Sequence, residues 1–166
     1  MTTGALSTTL EIVSSRISSA IHSSSVQQTL DAGERLGEKL LADFPEGVVV
    51  LLIGPLGAGK TVIAKGIARG LGIRDQIVSP TYTIISQYSS GRILLHHIDL
   101  YRIEGTDQME NLGLDDIMRG GGLVVIEWGE KLESALRESL ALPYLRIAVS
   151  LAEGGARDIT VEEVSA

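Results

Sequence analysis

Val48-Val49-Val50-Leu51-Leu52-Ile53-Gly54-Pro55-Leu56-Gly57-Ala58-Gly59-Lys60-Thr61-Val62 carries the decisive pattern. Its first six residues are an unbroken β-branched and Leu run, the mark of a strand covered on both faces in a parallel sheet. The next eight fit G-x-x-x-x-G-K-[ST]. Without a Cβ, glycine lets consecutive backbone N–H groups turn inward around an anion. Val62, Ile63, Ile67, Ala68 and Leu71 then recur at helical spacing, and Gly70-Leu71-Gly72 supplies a stop. Strand, glycine-rich turn and helix therefore follow in the order that a phosphate-binding loop requires.

This order predicts an α/β fold: a single P-loop NTPase domain with a mixed, mainly parallel sheet flanked by helices. In such a loop the amides and the positive end of the helix bind phosphates. Lys60 reaches the β and γ oxygens, and the Thr61 hydroxyl ligates Mg²⁺. Guanine-binding proteins of this class usually carry N-K-x-D, which is missing here, so the expected nucleotide is ATP.

Upstream, Val26, Leu30, Leu36, Leu40 and Leu41 fall on one helical face, with Ser24 or Ser25 placed to cap its start and Phe44-Pro45 to end it. Residues 1–24 are a Ser/Thr-rich N-terminal arm, whose Leu10-Glu11-Ile12-Val13 piece reads equally as a frayed edge strand or as part of a disordered tail. Residues 25–166 form the one domain. Downstream, residues 82–88 and 92–99 flank Ser89-Ser90-Gly91 as an antiparallel hairpin. Thr106 is placed to cap a helix reaching about Met118. Residues 123–128 read as a second buried strand, followed by a helix over about 130–140. Residues 144–151 and 158–164, joined through Gly154-Gly155, form another hairpin.

Bulk composition narrows the function. The 166 residues include no cysteine, which excludes disulfides and thiolate metal sites, and no apolar run of the ~20 residues that cross a bilayer. The amino terminus contains Glu11 and Arg16 and does not read as a secretory signal. A cytoplasmic protein without membrane contact is expected. A net charge of −7 argues against a stand-alone nucleic-acid binder, and one Trp and one Phe make no stacking platform.

Phosphoryl transfer needs carboxylates at the carboxyl ends of strands, beside the loop. Glu127 ends the apolar run from Leu123, like the acid of a Walker B strand, and is placed to hold Mg²⁺ directly or through water. Asp99 ends the run from Ile93 and is placed to orient water or share the metal. His96 and His97 project to opposite faces, so only His97 shares the face of Asp99; a structural or surface role is expected for each. Asp115 and Asp116 read as solvating residues on a helix. Trp128 either packs in the core or faces a partner, and core packing is favoured. Arg102 is a candidate to neutralise transition-state charge or to pair with an acid.

Several segments together resemble the TsaE family, the P-loop ATPases that assist formation of threonylcarbamoyladenosine in tRNA. They are residues 29–36 (Thr-Leu-Asp-Ala-Gly-Glu-Arg-Leu), the loop from Gly54 to Thr61, Ser79-Pro80-Thr81-Tyr82-Thr83, His97-Ile98-Asp99-Leu100-Tyr101-Arg102, Leu112-Gly113-Leu114 and Val125-Ile126-Glu127-Trp128. The resemblance implies slow ATP hydrolysis and action with the TsaD and TsaB proteins, so that tRNA is met only through the complex. It implies Gly57, Ala58, Gly59, Lys60, Thr61 and Val62 as the nucleotide loop, Thr61 and Glu127 as Mg²⁺ contacts, and Asp99 and Trp128 as needed for activity. The segment containing Thr81 and Thr83 would respond to nucleotide near the γ-phosphate. Further nucleotide contacts are implied near Ser25 and Gly155. Gly129 stands where a Pro often follows the Glu-Trp pair, and the arm before Ser25 is longer than usual. Two other readings compete: a P-loop small-molecule or protein kinase, and a switch driven by ATP binding alone.

Overall fold

Residues 18–140 and 142–165 are described by the computed structural model. In chain order the strands and longer helices are β1 (Ser18–Ser23), α1 (Val26–Asp43), β2 (Val49–Ile53), α2 (Lys60–Gly70), β3 (Ile85–Tyr88), β4 (Leu95–Asp99), α3 (Thr106–Glu110), α4 (Leu114–Arg119), β5 (Leu123–Glu127), β6 (Tyr144–Leu151) and β7 (Arg157–Val164). The strands form one seven-stranded sheet in the order β1-β7-β6-β2-β5-β4-β3. Its central pairings, β6 with β2, β2 with β5 and β5 with β4, are parallel. The outer ones are antiparallel, including both expected hairpins. The fold is the mixed-sheet P-loop α/β architecture, with its parallel strands at the core.

The unbroken apolar run of β2 is explained by its position, since it is the middle strand and both faces are covered. Val50 and Leu52 enter one apolar cluster with the buried faces of α1 and α2. Val49 and Leu51 enter the other, beneath α4 and the turns that follow β5. Alternation therefore gives two cores, one on each side of the sheet, and each fully buried Leu contributes roughly 1.5–3 kcal/mol.

Four glycines set the distance between α1 and α2. A Cβ on Gly37 would stand 2.3 Å from the backbone oxygen of Ile67, and one on Gly33 would stand 2.7 Å from that of Ile63. On the facing helix, Gly66 and Gly70 meet the Leu30 and Glu34 carbonyls at 2.3 and 2.2 Å in the same sense. Backbone lies directly on backbone, so α2, and with it the turn at its amino end, is fixed relative to α1.

The remaining elements refine the sequence reading. Ser25 caps α1, its hydroxyl accepting from the Gln28 amide at 3.1 Å. The helix expected from Thr106 to Met118 is two short ones, because Gly113 adopts a left-handed φ of 65° between them. Gly105, at φ 91°, holds the cap position assigned to Thr106. Over 130–140 the expected single helix is a 3₁₀ turn, one α turn and a π turn in succession. The arm's last residues, Ser18–Ser23, are an edge strand on β7, whereas Leu10-Glu11-Ile12-Val13 lies outside the described residues. Among the described residues no helix is long and apolar enough to cross a membrane.

Candidate functional site

The loop between β2 and α2 turns on three glycines with positive φ: Gly54 at 152°, Gly57 at 78° and Gly59 at 105°. A Cβ on Gly54 would stand 2.3 Å from the Val149 carbonyl oxygen, whereas among the described residues nothing lies within 4 Å of that position on Gly57. Gly59 caps α2 without any side-chain bond. The amides of Lys60, Thr61 and Val62 accordingly have no intrahelical acceptor and form a concentrated donor set at the positive helix end. Lys60 donates to the carbonyls of Gly54 at 2.6 Å and Pro55 at 2.9 Å. Its ammonium also lies 4.0 Å from the centroid of the Trp128 ring. Burial pushes the Lys60 pKa below its ordinary value, against the opposing pull of Glu127, Glu130 and Asp99.

Parallel pairing of β4 with β5 puts Asp99 directly opposite Glu127 at the strand ends. Glu127 is buried, and the Thr61 hydroxyl donates to its two oxygens at 3.0 and 2.9 Å. On the other side, His97 Nε2 lies 2.8 Å from Glu127 Oε1. A hydroxyl and a carboxylate are hard oxygen donors suited to Mg²⁺, which takes one or two protein ligands and completes its shell with waters and substrate phosphates. No cluster of three or more His, Cys, Asp or Glu side chains fit for a metal exists among the described residues, so a metal here would depend on phosphate oxygens. The donor set fits that role.

Asp99 is also buried, and both of its oxygens are engaged. Thr81 Oγ1 donates to Oδ2 at 2.6 Å, Ser79 Oγ donates to the same atom at 3.3 Å, and the Tyr101 amide donates to Oδ1 at 2.8 Å. The carboxylate thus ties the 79–83 loop to the sheet edge. Ile84, where that loop enters β3, has φ 65°, a left-handed conformation costly for a β-branched residue. Trp128 is likewise left-handed at φ 60°. This turn swings its ring under Lys60 and to 5.1 Å from Tyr101, so it packs against the loop as well as against the lower core.

A cleft of about 380 Å³ gathers Gly57, Gly59, Lys60, Thr61, Val62, Thr81, Asp99, Glu127 and Trp128, together with Leu56, Ser79, Tyr101 and Arg157. Ser25, Thr83 and Gly155 do not line it. Ser25 serves its helix cap, Thr83 Oγ1 lies 3.3 Å from Ser86 Oγ, and Gly155 sits in the turn between β6 and β7. Ala58 faces the core and is fully buried. Arg102 stacks its guanidinium 4.2 Å from the Tyr82 ring centroid, and Asp115 pairs with Arg119 on an exposed helix face. His96, on the opposite face of β4, has its pKa lowered by burial.

From the sequence, His97 is placed on the face of Asp99 but with only a structural or surface role expected for it, and Arg157 is assigned no place in the site. His97 is fully buried against Glu127; its signal was the shared parity with Asp99. Arg157 donates from Nε to the Ala58 carbonyl at 2.9 Å and lies over Gly59. No local pattern marks it, because it reaches the loop only through the pairing of β7 with β6 and of β6 with β2.

Comparison with known proteins agrees with the fold. The family model described as "Threonylcarbamoyl adenosine biosynthesis protein TsaE" matches residues 23–159. The tRNA threonylcarbamoyladenosine biosynthesis protein TsaE of Treponema pallidum (strain Nichols) is 42% identical over 139 residues, covering 84% of this chain and 96% of the relative. The protein of that name from Bacillus subtilis (strain 168) is 43% identical over 127 residues, 76% of this chain and 77% of the relative. Among solved structures, the crystal structure of Bacillus subtilis YdiB superposes with a TM-score of 0.68 at 31% identity, covering 92% of this chain and 90% of YdiB. With its phosphate loop facing two strand-end acids, and with relatives matched over most of its length, the chain belongs to the TsaE family.

Proposed function

We propose that this chain binds ATP with Mg²⁺ and hydrolyses it slowly, as an accessory of the cytoplasmic complex that forms N6-threonylcarbamoyladenosine in tRNA. The observation that carries the reading is the contact of Thr61 with Glu127 beside a loop that turns on three glycines of positive φ. The loop amides and Lys60 would receive the phosphates, whose oxygens replace the carbonyls of Gly54 and Pro55 as partners of the ammonium. Thr61 and Glu127 would hold Mg²⁺, which would supply positive charge against the charge developing on the phosphate. Asp99, already bonded to Ser79 and Thr81, would bring that loop over the terminal phosphate and orient the attacking water.

Partnership with TsaD and TsaB rests on the family resemblance alone; the relatives themselves are named for tRNA threonylcarbamoyladenosine biosynthesis. With a net charge of −7, contact with tRNA is expected through those partners rather than through this chain alone. The test is phosphate release from ATP by the chain alone and with TsaD and TsaB. Release should be slow alone and faster in the mixture. Lys60→Ala should abolish it and lower nucleotide affinity about 100-fold, the loss of charge-assisted bonds worth about 2–3 kcal/mol. Labelled phosphate transferred to a metabolite or protein would instead support a kinase.

A further inference from the structure

We propose that His97 is a positioning residue for the Mg²⁺-nucleotide site: its Nε2–H fixes the Glu127 carboxylate in the orientation that meets Thr61 and the metal. The inference rests on the nucleotide reading of the site and deepens it. Glu127 has three side-chain torsions and is desolvated at its strand end, so its direction depends on the donors around it. One donor is the Thr61 hydroxyl, whose single hydrogen is shared between both carboxylate oxygens at 3.0 and 2.9 Å. The other is His97, 2.8 Å from Oε1, with side-chain exposures of 1% for the histidine and 4% for the glutamate. Thr61 must also serve the metal, which leaves His97 as the donor committed to Glu127.

The imidazole is not explained by packing. Its other nitrogen, Nδ1, is buried with no hydrogen-bond partner among the described residues. On its face of the sheet the histidine lies between Leu95 and Asp99 of its own strand, with Val125 opposite on β5 and Ser86 opposite on β3. An aliphatic side chain at this position would remove the unpaired nitrogen and suit Leu95 and Val125, so that nitrogen costs stability there. What the histidine supplies in return is one N–H aimed at the acid. Groups that orient a metal-binding carboxylate in this way typically control metal affinity by 10–100-fold.

Calorimetry with a non-hydrolysable ATP analogue, run in Mg²⁺ and in EDTA, separates this role from a structural one. For wild type, Mg²⁺ should strengthen binding. His97→Leu should lose at least tenfold of that gain and bind as wild type does in EDTA. His97→Gln, whose amide N–H stands near the place of Nε2, should keep most of the gain. His97→Asn, whose amide stands near the place of Nδ1, should lose it, and this pair decides the matter should the Leu variant not fold. An undiminished Mg²⁺ gain in the Leu and Asn variants, or an equal loss in both buffers, would overturn the positioning role while leaving the site reading intact. Absence of any nucleotide uptake by wild type would instead overturn the site reading, and the inference with it.

Discussion

On one wall of the cleft Lys60 and Thr61 rise from a helix whose backbone rests on that of α1 through Gly33, Gly37, Gly66 and Gly70. On the other, Ser79 and Thr81 hang from Asp99 by hydroxyl bonds, ending at Ile84 with φ 65°, while Trp128 turns at φ 60°. The first wall is held by close packing, which has no soft direction. The second is held by a few hydrogen bonds, each worth about 1 kcal/mol net, against left-handed residues that cost about 1–3 kcal/mol each. A wall of the first kind suits a group that must stand ready before the ligand arrives, and one of the second kind suits a segment that settles on it.

The sharpest way to break this contrast is to unseat the packed wall. Gly37→Val places a branched side chain where 2.3 Å separates a Cβ from the Ile67 oxygen, and should cost about 3 kcal/mol in urea unfolding. A loss under 1 kcal/mol would show that the helices separate easily. Thr81→Ala removes the shorter bond to Asp99, and should cost only about 1 kcal/mol globally. Its main effect should be local: faster proteolysis within residues 79–84 and no change at α2. Arg157→Met tests the brace on the phosphate loop. Without its bond to Ala58, nucleotide affinity should fall by no more than about tenfold, with folding stability lower by about 1 kcal/mol.

The smallest effect belongs to His96, on the face of β4 away from the cleft. Gln87 lies 3.1 Å from its Nδ1, and burial lowers its pKa in the fold. The unfolded chain therefore takes up this proton first. The stability contribution of His96 is complete above pH ~6.5 and declines as pH falls through the lower folded value. His96→Gln should flatten that part of the melting-temperature profile and leave nucleotide binding unchanged.

The packed wall was largely legible in the sequence because its chemistry is local. A strand, a glycine-rich turn and a helix occupy one continuous stretch, and helical spacing picked out Ile63, Ile67 and Ala68, all of which are buried. The two acids were legible for a related reason, since each ends a stretch that reads as a strand and parallel pairing aligns such ends. The softer wall was less so. That Asp99 spends both oxygens on Ser79, Thr81 and the Tyr101 amide depends on how the 79–83 loop folds back over the sheet edge. Trp128 follows a strand with no glycine to announce its left-handed turn. Arg157 stands 99 residues from the carbonyl it binds, and only strand order brings them together. The single helix expected over residues 106–118 failed because Gly113, read as part of the helix, breaks it.

Amide hydrogen exchange on wild type, with and without a non-hydrolysable ATP analogue and Mg²⁺, tests the central claim most directly. The account predicts that α2 is well protected throughout, that the first-turn amides at residues 60–62 gain protection with nucleotide, and that residues 79–84 exchange rapidly alone and slow by tenfold or more when nucleotide and Mg²⁺ are both present. Unchanged exchange at residues 60–62 and 79–84, or protection appearing at the far end of α2 instead, would contradict it.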